Sequence, residues 1–186
     1  MRRAPRIIAG EFRGHSLIFP RGGDLRPTTE RVREALFSSL GEELLEARFA
    51  DLYAGTGAVG LEAVSRGAGR VLFVESNPRS LQALRANVAK LGVQERVMVV
   101  KGRVEKLWKS VAVRHGPFGV VFLDPPYGDR SGEVILEQAL AQGQGLEPGG
   151  LVIYQHARRE PPASPPEPFR VQDFGETRLS WYRPEA

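Results

Sequence analysis

Asp124 ends an apolar run, Val120–Leu123, and is followed at once by Pro125, Pro126 and Tyr127. Proline cannot donate to a strand ladder and forces the residue before it into an extended conformation, so a strand must stop here with a stiff turn beyond it. The grouping suits an exocyclic amine on a nucleobase, whose delocalised lone pair is a weak nucleophile. The Asp124 carboxylate and the Pro125 carbonyl accept its two N–H groups, Pro126 stiffens the turn, and Tyr127 stacks on a base drawn out of its surroundings. As the amine becomes cationic the same acceptors bind it more tightly, which is the differential stabilisation catalysis requires. A strand-ending turn with a capping acid accounts for Asp-Pro alone, not for the second proline and the ring.

A second constellation lies upstream. In DLYAGTGAVG, Asp51–Gly60, the glycines at 55, 57 and 60 match G-x-G-x-x-G, and Glu75 follows Gly55 by 20 residues. Between a strand and a helix, such glycines let backbone approach a ligand and helix pack on strand, while the acid takes ribose hydroxyls. Nicotinamide dinucleotides and S-adenosylmethionine both carry an adenosine ribose, so the motif alone leaves both open. Asp51 favours the methyl donor, because a carboxylate there repels a pyrophosphate and suits the ammonium of a methionine moiety. Asp-Pro-Pro-Tyr points the same way, since hydride transfer has no evident use for it.

The elements needed to position these groups are legible. Apolar runs at Phe49–Tyr53, Val71–Glu75, Val97–Val100, Val120–Leu123 and Leu151–Gln155 read as strands. Helices are expected from Ala58 to Arg66, from an Asn77 cap with Pro78 at the first position to Gly92, and after the turn at Asp129 to Gly132. Continuous apolar strands alternating with helices imply a parallel sheet covered on both faces. Ala157–Pro168 holds five of the fourteen prolines and reads as a surface loop. Beyond it, Phe169–Asp173 and Leu179–Arg183 form an antiparallel hairpin. Ligands bind such sheets beyond the carboxyl ends of the strands, near the switch in strand order. With the fourth strand beside the first, Asp124 and the glycine loop should face one crevice.

The N-terminal part differs. Arg6–Gly10 and Ser16–Phe19 flank Arg13–Gly14 as a small hairpin, and RPTTERVREALFSSL reads as a helix capped by Thr28 or Thr29 with Val32, Leu36 and Leu40 inward. Residues 1–44 are therefore expected to form an appendage near the mouth of the site, and 45–186 the main domain. Residues 1–33 carry eight arginines against three acids, a net +5, whereas the rest of the chain sums to −1. A basic arm on a near-neutral body is the footprint of a polyanion partner.

With 186 residues the chain suits one domain of ordinary size. It has no cysteine, which excludes disulfides, thiolate metal sites and any thiol nucleophile, and with them pyrimidine C5 methylation. The three histidines, His15, His115 and His156, lack metal-type spacing, so no metal is expected. His15 and His156 read as surface or satisfied side chains, and Trp108 and Trp181 as packing residues. No apolar run approaches the roughly 20 residues of a membrane span, and no signal core follows the basic start. A cytoplasmic location is the expectation.

LDPPY, DLYAGTGAVGLEAVSRGA and the N-terminal RIIAGEFRG…LRPTTERVREALFSSL together resemble the RsmD family, bacterial 16S ribosomal RNA guanine-N2 methyltransferases, from about Arg6 to Gln155. The resemblance implies a Rossmann-like class I methyltransferase fold: a seven-stranded, mostly parallel sheet ending in an antiparallel hairpin. It implies S-adenosylmethionine held near Asp51, Tyr53, Gly55, Gly57, Glu75 and Asn77, and the target amine at Asp124, Pro125, Pro126 and Tyr127. The implied partner is 16S ribosomal RNA within a small-subunit particle, met by a monomer. In the basic arm, Arg13, Arg26, Thr28, Thr29 and Arg33 are the candidate contacts, gripping phosphates or completing the base pocket; the alternative is threonines that only cap a helix and arginines that are solvated. Many relatives in the wider superfamily place an acid or amide after the third strand to bond the adenine amine. Here Lys101-Gly102-Arg103-Val104 stands there, so adenine contacts are expected from backbone at Arg103 and from Val104. The rivals are an adenine-N6 methyltransferase on DNA or RNA and, from another class, a nicotinamide oxidoreductase.

Overall fold

The computed structural model describes residues 4–20, 28–126, 128–140, 144–163 and 167–184. The main body alternates β1 (Arg48–Leu52), α2 (Ala58–Ser65), β2 (Arg70–Glu75), α3 (Pro78–Leu91), β3 (Val97–Lys101), α4 (Val104–His115), β4 (Phe118–Leu123), α5 (Ser131–Leu140) and β5 (Leu146–Ala157). Helix α1 (Glu30–Leu40) precedes them, and the hairpin β6 (Arg170–Phe174)–β7 (Thr177–Tyr182) follows. Helix α3 shows how locally the elements are encoded. Asn77 accepts from the N–H groups of Arg79 and Ser80, Pro78 occupies the first turn, and Gly92 ends the helix at φ 68°.

The strands form one seven-stranded sheet in the order β3-β2-β1-β4-β5-β7-β6. The first five run parallel, and β7 runs antiparallel to both β5 and β6. Strand order reverses between β1 and β4, where Phe49–Leu52 lie in register with Val120–Leu123. Asp124 therefore leaves the sheet beside Tyr53, at the switch point where a crevice opens. One face packs Phe49, Phe73 and Phe122 against α1, α2 and α3. The other packs Val104, Trp108 and Val111 of α4 and Ile135 and Leu136 of α5 against Leu52, Val121 and Leu123. Trp108 and Trp181 are core residues, and buried His156 is satisfied by Ser180 and the Ala157 carbonyl. None of the helices among the described residues is long and apolar enough to cross a membrane.

The hairpin ahead of α1 is present, and one helix was not expected. The N-terminal hairpin forms but stays short: around the antiparallel bridge Arg6–Ser16, Ile7 N–H donates to the His15 carbonyl at 3.0 Å, Gly14 N–H to the Ile7 carbonyl at 2.9 Å and Leu17 N–H to the Pro5 carbonyl at 2.7 Å. Other backbone donors of the segment go to α2: Ile8 and Ala9 donate to the Glu62 carboxylate at 2.8 and 3.0 Å, and Phe12 to Ser65 Oγ at 2.9 Å. Ile7, Leu17, Val32, Leu36 and Leu40 then enter the same core cluster as the sheet. Helix α4 had no expected counterpart, although its buried residues Val104, Trp108 and Val111 carry helical spacing.

Candidate active site

A cleft of about 1300 Å³ lies beyond the carboxyl ends of β1, β2, β4 and β5, and both constellations line it. Tyr53 leaves β1 with a left-handed φ of 69° and turns the chain into the glycine loop. Its hydroxyl meets Ser131 Oγ at 2.8 Å. The three glycines serve different ends. A Cβ on Gly55 would meet no atom within 4 Å, so its backbone faces open space. One on Gly57 would strike Leu84, and one on Gly60 the Phe73 ring. Gly55 is thus the position left open to a ligand, while the other two let α2 sit tightly on the sheet and on α3.

Two carboxylates organise the loop. Glu75 at the end of β2 accepts from Gly55 N–H and Asn77 N–H, both at 2.6 Å, tying the glycine loop to the head of α3. Burial raises its pKa, and those N–H groups oppose the shift. Asp51 accepts from Gly60 N–H at 2.8 Å. Burial pushes its pKa up to about 8 against that bond, and the charges of Asp124 and Glu75 add to the rise. A buried acid this reluctant to ionise is a ready partner for a cation. Ser80 Oγ, also lining the cleft, is buried without a hydrogen-bond partner. An ammonium acceptor at Asp51, a ribose-type acceptor at Glu75, open backbone at Gly55 and the apolar Val104 fit an aminoacyl nucleoside. Asn77 lines the cleft while capping α3. Arg103 lies on its rim, exposed and paired with Glu105.

Asp124 faces the same cleft from β4, with Pro125 and Pro126 beside it. Thr28 Oγ donates to its Oδ2 at 3.0 Å and Gln155 Nε2 to its Oδ1 at 2.9 Å. Burial pushes the carboxyl up to about 7, and these two donors hold it down. Tyr127 and Arg26 lie outside the described residues.

The candidate RNA contacts divide. Thr29 caps α1 by accepting from Val32 N–H at 3.3 Å. Arg13 is exposed. Arg33 requires correction. It has no exposed surface and bonds Glu62 at 3.1 Å and the Arg6 carbonyl at 2.9 Å, because it lies on the same face of α1 as Phe37 and Leu40. A guanidinium sealed in this way cannot grip a phosphate. Gln155 was missed altogether. Its signal is a polar residue ending an apolar strand, which gains meaning only once β4 and β5 pair.

A family model described as conserved hypothetical protein 95 matches residues 5–183. Ribosomal RNA small subunit methyltransferase D of Haemophilus influenzae is 32% identical over 180 residues, covering 96% of this chain and 91% of that protein. The Escherichia coli K12 protein of the same name is 39% identical over 122 residues, covering 66% of this chain and 60% of that one. Among solved structures, a hypothetical protein of Thermus thermophilus superposes with a TM-score of 0.81 at 32% identity, covering 96% of this chain and 98% of that one.

Proposed function

Because the chain belongs to the RsmD family, we propose that it methylates the exocyclic N2 amine of a guanine in 16S ribosomal RNA, using S-adenosylmethionine. One observation carries the reading: Asp124 and the open backbone of Gly55 line a single cleft. When bound, S-adenosylmethionine supplies a methyl group on a sulfonium centre that accepts an electron pair. Asp51 takes its ammonium and Glu75 its ribose hydroxyls, with Val104 and the backbone at Arg103 beside the adenine. The Asp124 carboxylate and the Pro125 carbonyl accept the N–H groups of the target amine and aim its lone pair. Those acceptors tighten on the amine as it gains positive charge, so positioning and electrostatics carry the rate. Tyr127 stacks on the base.

Residues 1–44 act as the RNA-facing arm of a methyltransferase body, with Arg13 and Arg26 among the phosphate contacts. The substrate is a small-subunit particle, engaged by a monomer. The test supplies labelled methyl donor and small subunits lacking their own modification, then identifies the modified nucleoside. N2-methylguanosine is expected, and Asp124→Ala should lose it while keeping the melting temperature near that of the unmodified protein. N6-methyladenosine would overturn the acceptor, and full activity in Asp124→Ala would overturn the mechanism.

A further inference from the structure

The Asp124 carboxylate carries a donor on each oxygen, from segments 96 and 31 residues away in the chain. We propose that Thr28 and Gln155 are positioning residues for methyl transfer, fixing the rotation of this carboxylate and holding it in its acceptor form so that its remaining lone pairs face the target amine. The proposal rests on the reading of Asp124 as the amine's acceptor.

A carboxylate has about four lone-pair sites, so one donor on each oxygen still leaves sites for an incoming N–H. Two fixed donors on opposite oxygens also set the plane of the group, which a single bond would leave free to turn. Protonation would spoil the arrangement, because a carboxylic O–H would confront the amine with a donor. The surroundings favour protonation. Besides burial, the charged groups lining the cleft are Asp51 from β1, Glu75 from β2, Arg103 and Glu105 at the head of α4, Asp129 after β4 and Glu176 before β7. Five of these six are acids, and Arg103 is paired with Glu105. Thr28 and Gln155 act in the other direction, holding the carboxyl down.

Neither residue is explained by the fold. Thr29, not Thr28, caps α1, so the Thr28 hydroxyl is spare for the helix. Gln155 is 8% exposed and leaves its Oε1 buried without a hydrogen-bond partner. That vacancy costs stability that a methionine of similar length would not. What the amide adds is the donor on Asp124. The position of Thr28 is set in turn by α1, which Arg33 locks to Glu62.

The test follows Asp124 directly, by carbon-13 titration of side-chain carboxyls in the ligand-free protein, with its signal assigned by loss in Asp124→Asn. Thr28→Val and Gln155→Met should each raise its midpoint by about one pH unit, the worth of a hydrogen bond to a charged acceptor. Thr28→Ser should restore it. The acid limb of kcat/KM for methylation of small-subunit particles should move with the midpoint, so activity at pH 6.5 falls about tenfold more than activity at pH 9. An unmoved midpoint in Thr28→Val, or an equal loss at every pH with the limb in place, would overturn the proposal. A midpoint that moves as expected in a protein that methylates no guanine would instead overturn the reading of Asp124 as the amine's acceptor.

Discussion

Replacing Glu62 should cost far more than replacing the arginine it pairs with. Glu62 is fully buried in α2 and accepts four donors: Ile8 N–H, Ala9 N–H, Arg33 at 3.1 Å and Arg66 at 2.7 Å. In Glu62→Leu, Arg33 keeps its charge with no exposed surface and no counter-ion. Removing one partner of a buried pair in this way costs about 3–5 kcal/mol. For a chain of this size that corresponds to a fall in Tm of roughly 6–20 °C. Arg33→Met is milder, because the carboxylate keeps Arg66 and both backbone donors. The losses are then one charged bond and the bonds to the Arg6 and Ala58 carbonyls, offset by the relief of a buried charge, about 1–2 kcal/mol net. The double variant removes both charges and should be more stable than Glu62→Leu alone. Urea unfolding at pH 7 reads all three from the midpoint, provided the slope is constant. An Arg33→Met loss equal to that of Glu62→Leu, or a double variant destabilised by the sum of the two, would refute the reasoning.

Burial raises Asp51 to about 8 and Asp124 to about 7 from an ordinary 3.8. A group that holds its proton more tightly when folded adds stability below its unfolded pKa and loses it as pH rises through the folded value. The ligand-free protein should therefore lose stability between about pH 4 and 8, less steeply in Asp51→Asn; equal slopes in thermal melts would count against a buried Asp51 acid. Gly60→Ala should lower stability by about 1–3 kcal/mol through overlap with Phe73, whereas Gly55→Ala meets no atom but sits at a φ of 56°, so it should cost about 1 kcal/mol in backbone strain and lower S-adenosylhomocysteine affinity, by calorimetry, about tenfold. Equal affinities for Gly55→Ala and the parent would show that the open backbone meets no ligand.

Features with a local cause were legible in the sequence. The Asn77–Gly92 helix has its cap, its proline and its terminating glycine within sixteen residues. The strand ending at Asp124 is fixed by the prolines that follow it. Features with a distant cause were not. A charge on a helix is usually solvated, and nothing near Arg33 says otherwise; its burial follows from Glu62, which sits in a helix whose every residue is buried. Helix α4 escaped notice because its apolar face has only three buried residues, Val104, Trp108 and Val111, and the opposite face carries exposed Lys106 and Lys109. Gln155 becomes a site residue through a register, Leu123 opposite Tyr154, that places the next residue of each strand side by side.

The arm and the sheet cannot be treated as separate instruments. Ile7, Leu17 and Val32 share one apolar cluster with Phe49 and Phe122, and the Glu62 carboxylate binds arm backbone, α1 and Arg66 at once. Glu62 lies two residues beyond Gly60, whose N–H holds Asp51. Thr28, at the other end of the Arg33 link, holds Asp124. The Asp51 and Asp124 sides of the cleft are thus both linked to one buried ion pair, so a displacement of α1 large enough to release Thr28 should strain the Arg33–Glu62 contact. Because that contact is sealed from water, breaking it is costly, and the arm should behave as a fixed wall of the cleft.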